Sequence, residues 1–450
     1  MDDLIKELKM VLGDEYILVD PIDLLPYTRD YSLSRLYNEV KKYIVGRPKA
    51  VIQPGDPNQL SRVLKILSRY GAKYSIYGGG SGVVEAYNPE TDFIIDISRL
   101  DWIEWFDEES NIVYVGGGTY LIKVEDWLNR QGYTLGHYPQ SIHVTSVGGA
   151  VATGSIGMYS SGYGGIEDIV VGIELSTPKY GILKYGPTVR GNTPLPLDKL
   201  VINSEGRFGV ISGAYLKVYR KPDIILKGVY RIDSLESGVD ILRKIMDYRL
   251  TPHLIRLFDR YESMIYFGGG ESTLIYSIHG YNEVSKYLYT WREELDKVID
   301  GEALDEALYD RWVENRFRYI DYIYRLYNTG LAIETMEFGV PWSKIIEFDR
   351  EFRDRISRYE SIAYISMHIS HIHRTGCGVY YTLAIDIDSI EDIYRDIWGE
   401  ALDIAIEYGS DISHHHGLGG IRIEAFKKRY GMNIYRFIMD VSNLINSLDI

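Results

Sequence analysis

Along DPNQLSRVLKILSRYG (56–71) the apolar positions Leu60, Val63, Leu64 and Leu67 recur at helical spacing, with Asp56 placed to cap the helix, Pro57 in its first turn and Gly71 beyond its end. The pattern then shortens. AKYSIY and FIIDIS (93–98) are compact runs of strand type with GGGSG between them, and NIVYVGGG is a further strand running into glycines. TYLIKVEDWLNRQG restores the helical period, with Leu121, Val124 and Leu128 on one side and Gly132 past the end. Alternating helices and strands predict layers of helix on sheet. From about residue 223 the texture changes: glycine thins, DEALYDRWVENRFRYIDYIYRLYN reads as long amphipathic helix, and GVYYTLAIDI reads as strand. A domain boundary is therefore expected near Pro222. No tandem repeat and no low-complexity tract interrupts the pattern.

The chain has 450 residues, enough for more than one domain. Its formal charge is −15, from 64 acidic and 49 basic residues, which repels a phosphate backbone and argues against nucleic acid as a partner. The single cysteine, Cys377, has no intramolecular partner and reads as a small buried hydrophobe. The opening MDDLIKELKM has no leader pattern, so the expected compartment is cytoplasmic. No apolar run is long enough to span a bilayer, which leaves peripheral membrane contact as the form any lipid encounter takes.

Candidate chemistry begins with the glycines. Consecutive residues without side-chain bulk, Gly78, Gly79, Gly80, Ser81 and Gly82, let backbone amides converge on an anion such as a diphosphate. The run is neither a GxGxxG fingerprint opening a helix nor a P-loop, which weakens nicotinamide and ATP as ligands. A second small-residue segment spans 136–178 and a third, NSEGRFGVI, spans 203–211. Three such segments imply a large cofactor lying along backbone. The triplet His414, His415 and His416 offers proton carriers, metal ligands or a solvated loop. Adjacent residues of an extended segment point to opposite sides, so at most two of the three face one site. His368, His371 and His373 are near enough in sequence to Tyr380 to join the triplet in a mixed metal site, although the expectation is that no metal is bound.

The order GGGSG, PQS…SVGGAVAT, SEGxxGV resembles the FAD-binding domain of the vanillyl-alcohol-oxidase family. Within that family the likeness is to the alkylglycerone-phosphate-synthase branch, on GHYPQS (136–141), GMYSSGYGGIEDIVV (157–171), ET followed by PW (334–342) and SHHHGLG (413–419). The resemblance implies an α+β fold: a two-subdomain FAD-binding domain with an α/β cap that carries the substrate site. The implied division is an N-terminal helical region (1–45), the FAD-binding domain (46–222), the cap (223–405) and a C-terminal segment bearing the histidines (406–450).

The implied cofactor is non-covalent FAD. Ile76, Tyr77 and Gly78 to Gly82 would hold its diphosphate; Gln140, Ser141, Thr145, Ser146, Gly148, Gly149, Thr153, Gly154, Ser155 and Ile156 would line the flavin, and Glu205, Gly206, Gly209 and Val210 would complete the site. The implied reaction exchanges the acyl group of acyl-dihydroxyacetone phosphate for a fatty alcohol through an adduct at flavin N5. Tyr380 takes the place of the family's catalytic tyrosine, His414 to His416 act as a proton relay, and His137 lies near the flavin. Arg325 and Arg190 would hold the anionic substrate, with Arg316 and Arg318 as alternatives to Arg325. A homodimer is compatible with the likeness. The competing reading is an FAD-linked oxidase or dehydrogenase of a 2-hydroxy acid such as D-lactate or glycolate, although the GHxGDGNLH motif of such relatives is absent.

Overall fold

The computed structural model describes residues 2–41, 43–44 and 46–446. The chain forms two compact units, one made of residues 1–156, 165–220 and 415–450, the other of residues 157–164 and 221–414. The divide falls between His414 and His415, inside the triplet.

The first unit holds two sheets. In the smaller, parallel strands Ala50–Ile52, Phe93–Asp96 and Tyr74–Tyr77 lie side by side, and the short antiparallel strand Ile17–Leu18 covers the edge. That edge strand lies within the N-terminal stretch expected to be helical; two residues are too few to show a period. The helix Pro57–Arg69 starts as the sequence predicts, with the Asp56 carboxylate accepting from the amides of Asn58 and Gln59, and buries Leu60, Val63, Leu64 and Leu67 in the core. The larger sheet is antiparallel and runs Ile103–Asp107, Ile112–Gly116, Val210–Lys217, Val170–Thr177, Gly181–Tyr185. In sequence, between the larger sheet's strands Ile112–Gly116 and Val170–Thr177, lies the short helix Val147–Thr153, built almost wholly of small residues.

The second unit is organised on one seven-stranded antiparallel sheet in the order Glu302–Ala303, Ile224–Ile232, Ser272–Gly280, Leu254–Phe258, Ile362–Ile372, Gly376–Asp386, Leu331–Pro341. Strand alternation gives the sheet a back and a front. On the back, Tyr381 stacks on Phe352 at 3.6 Å between centroids, and Phe348 and Phe352 of the helix Ile345–Ile356 are fully buried. One residue earlier, Tyr380 faces front. The segment DEALY…RLYN, expected as continuous helix, is broken into the helices Ala307–Asn315 and Tyr319–Tyr327 by a 3₁₀ turn over Arg316–Arg318. Arg316 at that break is buried, and the tighter turn changes its direction relative to a continuing α-helix.

The aromatic back face predicts a stability effect separable from chemistry. Phe352→Ala is expected to cost about 3–5 kcal/mol, read as a lower denaturant midpoint for the transition that reports the second unit.

Candidate functional site

The first unit's candidate site is built on the glycine loop. Gly79 runs so close to the 141–146 segment that an added Cβ would lie 1.7 Å from the Val144 carbonyl oxygen. Only glycine permits that approach. Hydroxyls tie the two segments together: Ser81 Oγ lies 3.1 Å from Thr145 Oγ1, which donates to Ser141 Oγ at 2.7 Å. Ser146 caps the helix Val147–Thr153 by accepting from the Gly149 amide at 3.1 Å. The Val147 and Gly148 amides donate to the carbonyls of Thr119 and Gly117 at 2.9 and 2.7 Å. The helix start is therefore already satisfied, and an anion must look elsewhere for donors. Among the described residues, no backbone carbonyl accepts from the amides of Gly79, Gly80, Ser81 or Gly82. These are the groups that a diphosphate would engage.

The NSEG segment closes on the other end of that helix. Gly154 takes the left-handed conformation at its C-terminus, with φ of 67°, and an added Cβ would sit 1.6 Å from Asn203 Oδ1. The Asn203 and Glu205 amides donate to the carbonyls of Val151 and Ala152 at 3.2 and 2.8 Å. Ile76 is the neighbour that an added Cβ at Gly206 would meet, at 2.7 Å, whereas Gly209 and Val210 sit at the start of the larger sheet. Tyr77 is packed edge-on against Tyr27 and Tyr87, Thr153 Oγ1 donates back to the Gly149 carbonyl, Ile156 is buried and Gln140 is exposed. The three predicted segments are thus brought together around one short helix.

His137 is buried beside Ser155, its Nε2 3.2 Å from Ser155 Oγ, and its Nδ1 has no hydrogen-bond partner. A buried imidazole nitrogen left bare fits a polar group of a bound cofactor. Together with the open amides and the Gly79 approach, it makes the first unit a suitable cradle for FAD. Glu205 also holds neighbouring backbone. Its carboxylate accepts from the amides of Leu418 and Gly419 at 2.5 and 3.1 Å and from Arg207 at 2.7 Å, so it anchors the chain that follows His415 and His416.

The second unit has its own candidate site, on the front face of the seven-stranded sheet. Strand register puts His368, Tyr380 and Glu337 directly opposite one another on three neighbouring strands. His368 stacks on Tyr380 at 4.6 Å and 17°, and its Nδ1 donates to the buried Glu262 carboxylate at 3.0 Å. Burial lowers the His368 pKa, and Glu262 opposes that shift. Burial and then Glu337 push the Tyr380 phenol well above its ordinary range, against the influence of Arg256 and Arg316. Burial lowers both arginines, Arg316 to about 10, with Arg256 contributing because like charges repel. Two guanidinium groups beside a protonated phenol favour an anion.

A bulge between Ser370 and Ile372 brings His371, at φ of 54°, towards Tyr380 and His414, where strict alternation would turn it to the back. His414 is tethered by Glu337, whose Oε2 accepts from the His414 amide at 2.5 Å and whose Oε1 accepts from Ser413 Oγ at 3.1 Å. His414 therefore joins Tyr380 in the second unit, whereas His415 and His416 pack at 4.3 Å against each other in the first. Arg325 is exposed on the helix Tyr319–Tyr327, and Arg190 is exposed on the loop after Pro187. Cys377 is buried with its thiol pushed up by burial.

Arg256, Glu262 and Glu337 are candidate site residues that the sequence reading did not single out. Arg256 and Glu337 are each a lone charge in a segment of otherwise apolar or small positions, LIRLF and TMEFG, and that is the available signal; Glu262 follows Asp259 and Arg260 in DRYESM and carries none.

Burial holds His137 at a pKa of about 4, so the folded state keeps it neutral. The unfolded chain takes up a proton near 6.5, so this group's contribution to stability is complete above that pH and is lost as pH falls towards 4. His137→Asn is expected to remove up to about 3 kcal/mol of that acid sensitivity, measured as a flatter dependence of the unfolding midpoint on pH.

Comparison with known proteins finds a match for each part of the chain. Residues 48–184 match the model of an FAD binding domain, and residues 227–446 match that of the C-terminal domain of FAD linked oxidases. An alkyldihydroxyacetonephosphate synthase of Caenorhabditis elegans is 26% identical over 422 residues, covering 83% of this chain and 70% of the relative. A D-lactate dehydrogenase of Archaeoglobus fulgidus is 22% identical, covering 88% of this chain and 90% of the relative. The solved structure of an alkyldihydroxyacetonephosphate synthase superposes with a TM-score of 0.82 at 21% identity, covering 99% of this chain and 83% of that one. That of p-cresol methylhydroxylase gives 0.76 at 14% identity, covering 99% and 94%. The chain belongs to the FAD-linked oxidase family: it is an FAD-dependent enzyme, a transferase or an oxidoreductase, on the α+β fold of the vanillyl-alcohol-oxidase type.

Proposed function

We propose that this enzyme acts on a small anionic, lipid-like ester, exchanging the acyl group of an acyl-dihydroxyacetone-phosphate-like substrate for a fatty alcohol. The observation that carries the reading is Tyr380, a phenol kept protonated by burial and by Glu337 while two guanidinium groups, Arg256 and Arg316, stand near it. The relatives named as alkyldihydroxyacetonephosphate synthases support the same choice. FAD, when bound without a covalent link, supplies an electron-poor ring next to which the carbon beside a carbonyl becomes reactive.

The rest is work for the chain's own side chains. A leaving carboxylate needs a proton, and a protonated buried phenol is a ready donor. Once Tyr380 has given up its proton it can take one from carbon, and the arginines that oppose its raised pKa stabilise that state. We assign the grip on the substrate phosphate to Arg316 and Arg256 rather than to Arg325 and Arg190, because the latter two are exposed. His137, neutral and buried, would hold a hydrogen bond beside the flavin, and the chain after His415 and His416 is anchored by Glu205. Among the described residues no helix is long and apolar enough to cross a membrane, so a lipid substrate would be met by peripheral contact.

A second reading is supported by the relative named D-lactate dehydrogenase: the arginine pair would equally hold a carboxylate, and Tyr380 would take the hydroxyl proton of a 2-hydroxy acid. Two measurements separate them. Exchange of labelled hexadecanol into palmitoyl-dihydroxyacetone phosphate is expected under the first reading. Anaerobic bleaching of the flavin by D-lactate or glycolate, with no such exchange, would replace it by the second.

Three variants test the residue assignments. Tyr380→Phe is expected to lower turnover by about 10²–10⁴-fold while the purified protein stays yellow. Arg316→Met is expected to raise KM by about 10- to 100-fold, with FAD content unchanged. Gly79→Ala is expected to give folded, colourless protein, detected as native circular dichroism without flavin absorbance.

A further inference from the structure

Rings on the front face of the second unit's sheet form a line from the interior to solvent. Buried Tyr380 lies 5.8 Å, between centroids, from buried His371, and His371 stacks on His414 at 5.6 Å and 21°. His414 Nε2 is 2.9 Å from Nε2 of His373, which is exposed. Ser160 Oγ, from the helix Ser160–Tyr163, is 2.7 Å from His371 Nδ1.

Each ring is set by a backbone device. The bulge brings His371 forward, Glu337 holds the His414 amide, and the His373 carbonyl accepts from Trp342 Nε1 at 3.0 Å while its amide donates to Gly376 at 2.8 Å. An Nε2···Nε2 contact of hydrogen-bond length holds one proton: one ring donates and the other accepts. With Ser160 Oγ accepting from Nδ1–H, Nε2 is the unprotonated nitrogen of the His371 ring and the one that can receive a proton. The charged groups around the line are Glu337 on the strand Leu331–Pro341, Glu262 behind His368, Arg256 on the strand Leu254–Phe258, and Arg316.

We propose that His371, His414 and His373 form the proton exit between Tyr380 and solvent, with Ser160 as the positioning residue for His371. The inference rests on reading Tyr380 as the proton-transferring group. As Tyr380 Oη takes the substrate's proton, its own O–H bond breaks and an N–H bond forms on His371. The electron pair left on oxygen accepts the incoming proton. The extra proton crosses to His414 through one bridging water, passes along the Nε2···Nε2 bond to His373, and leaves to bulk water. Run backwards, the same path returns a proton for the leaving group. One proton moves and no electron does.

The test has two arms. In ¹⁵N-histidine-labelled holoenzyme, through-bond nitrogen–nitrogen coupling is expected between the His373 and His414 rings, and it is lost in His373→Gln. This arm needs no substrate. In the second, single-turnover rates are measured with palmitoyl-dihydroxyacetone phosphate. His373→Ala is expected to be slower by about tenfold to a hundredfold and to recover with added imidazole, which reaches an exposed position. His371→Gln is expected to be slow without rescue, and Ser160→Ala to lower kcat with KM unchanged and a shifted His371 tautomer signal. Absence of the coupling, wild-type rates in His373→Ala, no rescue, or a stoichiometric metal held between His373 and His414 would overturn the relay. Wild-type enzyme inert to the ester would overturn the proposed reaction instead, and the coupling would still decide the relay.

Discussion

Two carboxylates hold the histidine triplet, and the candidate chemistry depends on them. Glu337, fully buried in the second unit, takes the amide of His414 and the hydroxyl of Ser413. Glu205, in the first unit, takes the amides of Leu418 and Gly419 just beyond His416. Charge-assisted bonds from a carboxylate to backbone amides are stronger than neutral ones, and they hold the segment by its backbone rather than by its imidazoles. A segment with three adjacent titratable rings and two nearby glycines would otherwise lose much entropy on being ordered. Burial and then Glu337 raise the proton affinity of Tyr380, so one side chain both positions a histidine and adds to the protonation of the neighbouring phenol.

In the first unit the decisive constraint is the absence of side chains. The loop 78–82, the turn before the helix Val147–Thr153 and the NSEG turn approach one another at distances a Cβ would prohibit. The helix is a packing post rather than an anion site, since its first amides are spent on the carbonyls of Thr119 and Gly117 and on Ser146. The donors left over belong to the loop. A cradle built from backbone binds whatever shape the backbone defines, and it tolerates wide sequence change elsewhere. That accounts for a fold shared at 0.82 in TM-score with only 21% identity.

The second unit sets apart its candidate site by contrast between the two faces of one sheet. Tyr381, on the back, is a packing residue stacked on Phe352, whereas its neighbour Tyr380 stands among His368, Glu337 and the arginines. A slip of one residue in strand register would exchange the two. The bulge at His371 is the local exception to alternation, and it adds a third imidazole to the front face.

The sequence by itself determined the glycine cradle, its order along the chain and the helix Pro57–Arg69, because small residues and apolar spacing act locally and leave a signature within a few positions. Tyr380 and the histidines were legible only through a motif, since a tyrosine among 40 says nothing alone. The tertiary structure decided which charges matter. Arg256, Arg316, Glu262 and Glu337 come from four separate elements; sheet register and a broken helix bring Arg256, Arg316 and Glu337 to one phenol and Glu262 to the histidine stacked on it. The exposure of Arg325 and Arg190 could not be read from their neighbours either, because a guanidinium's environment is set by long-range packing and not by the residues beside it in the chain.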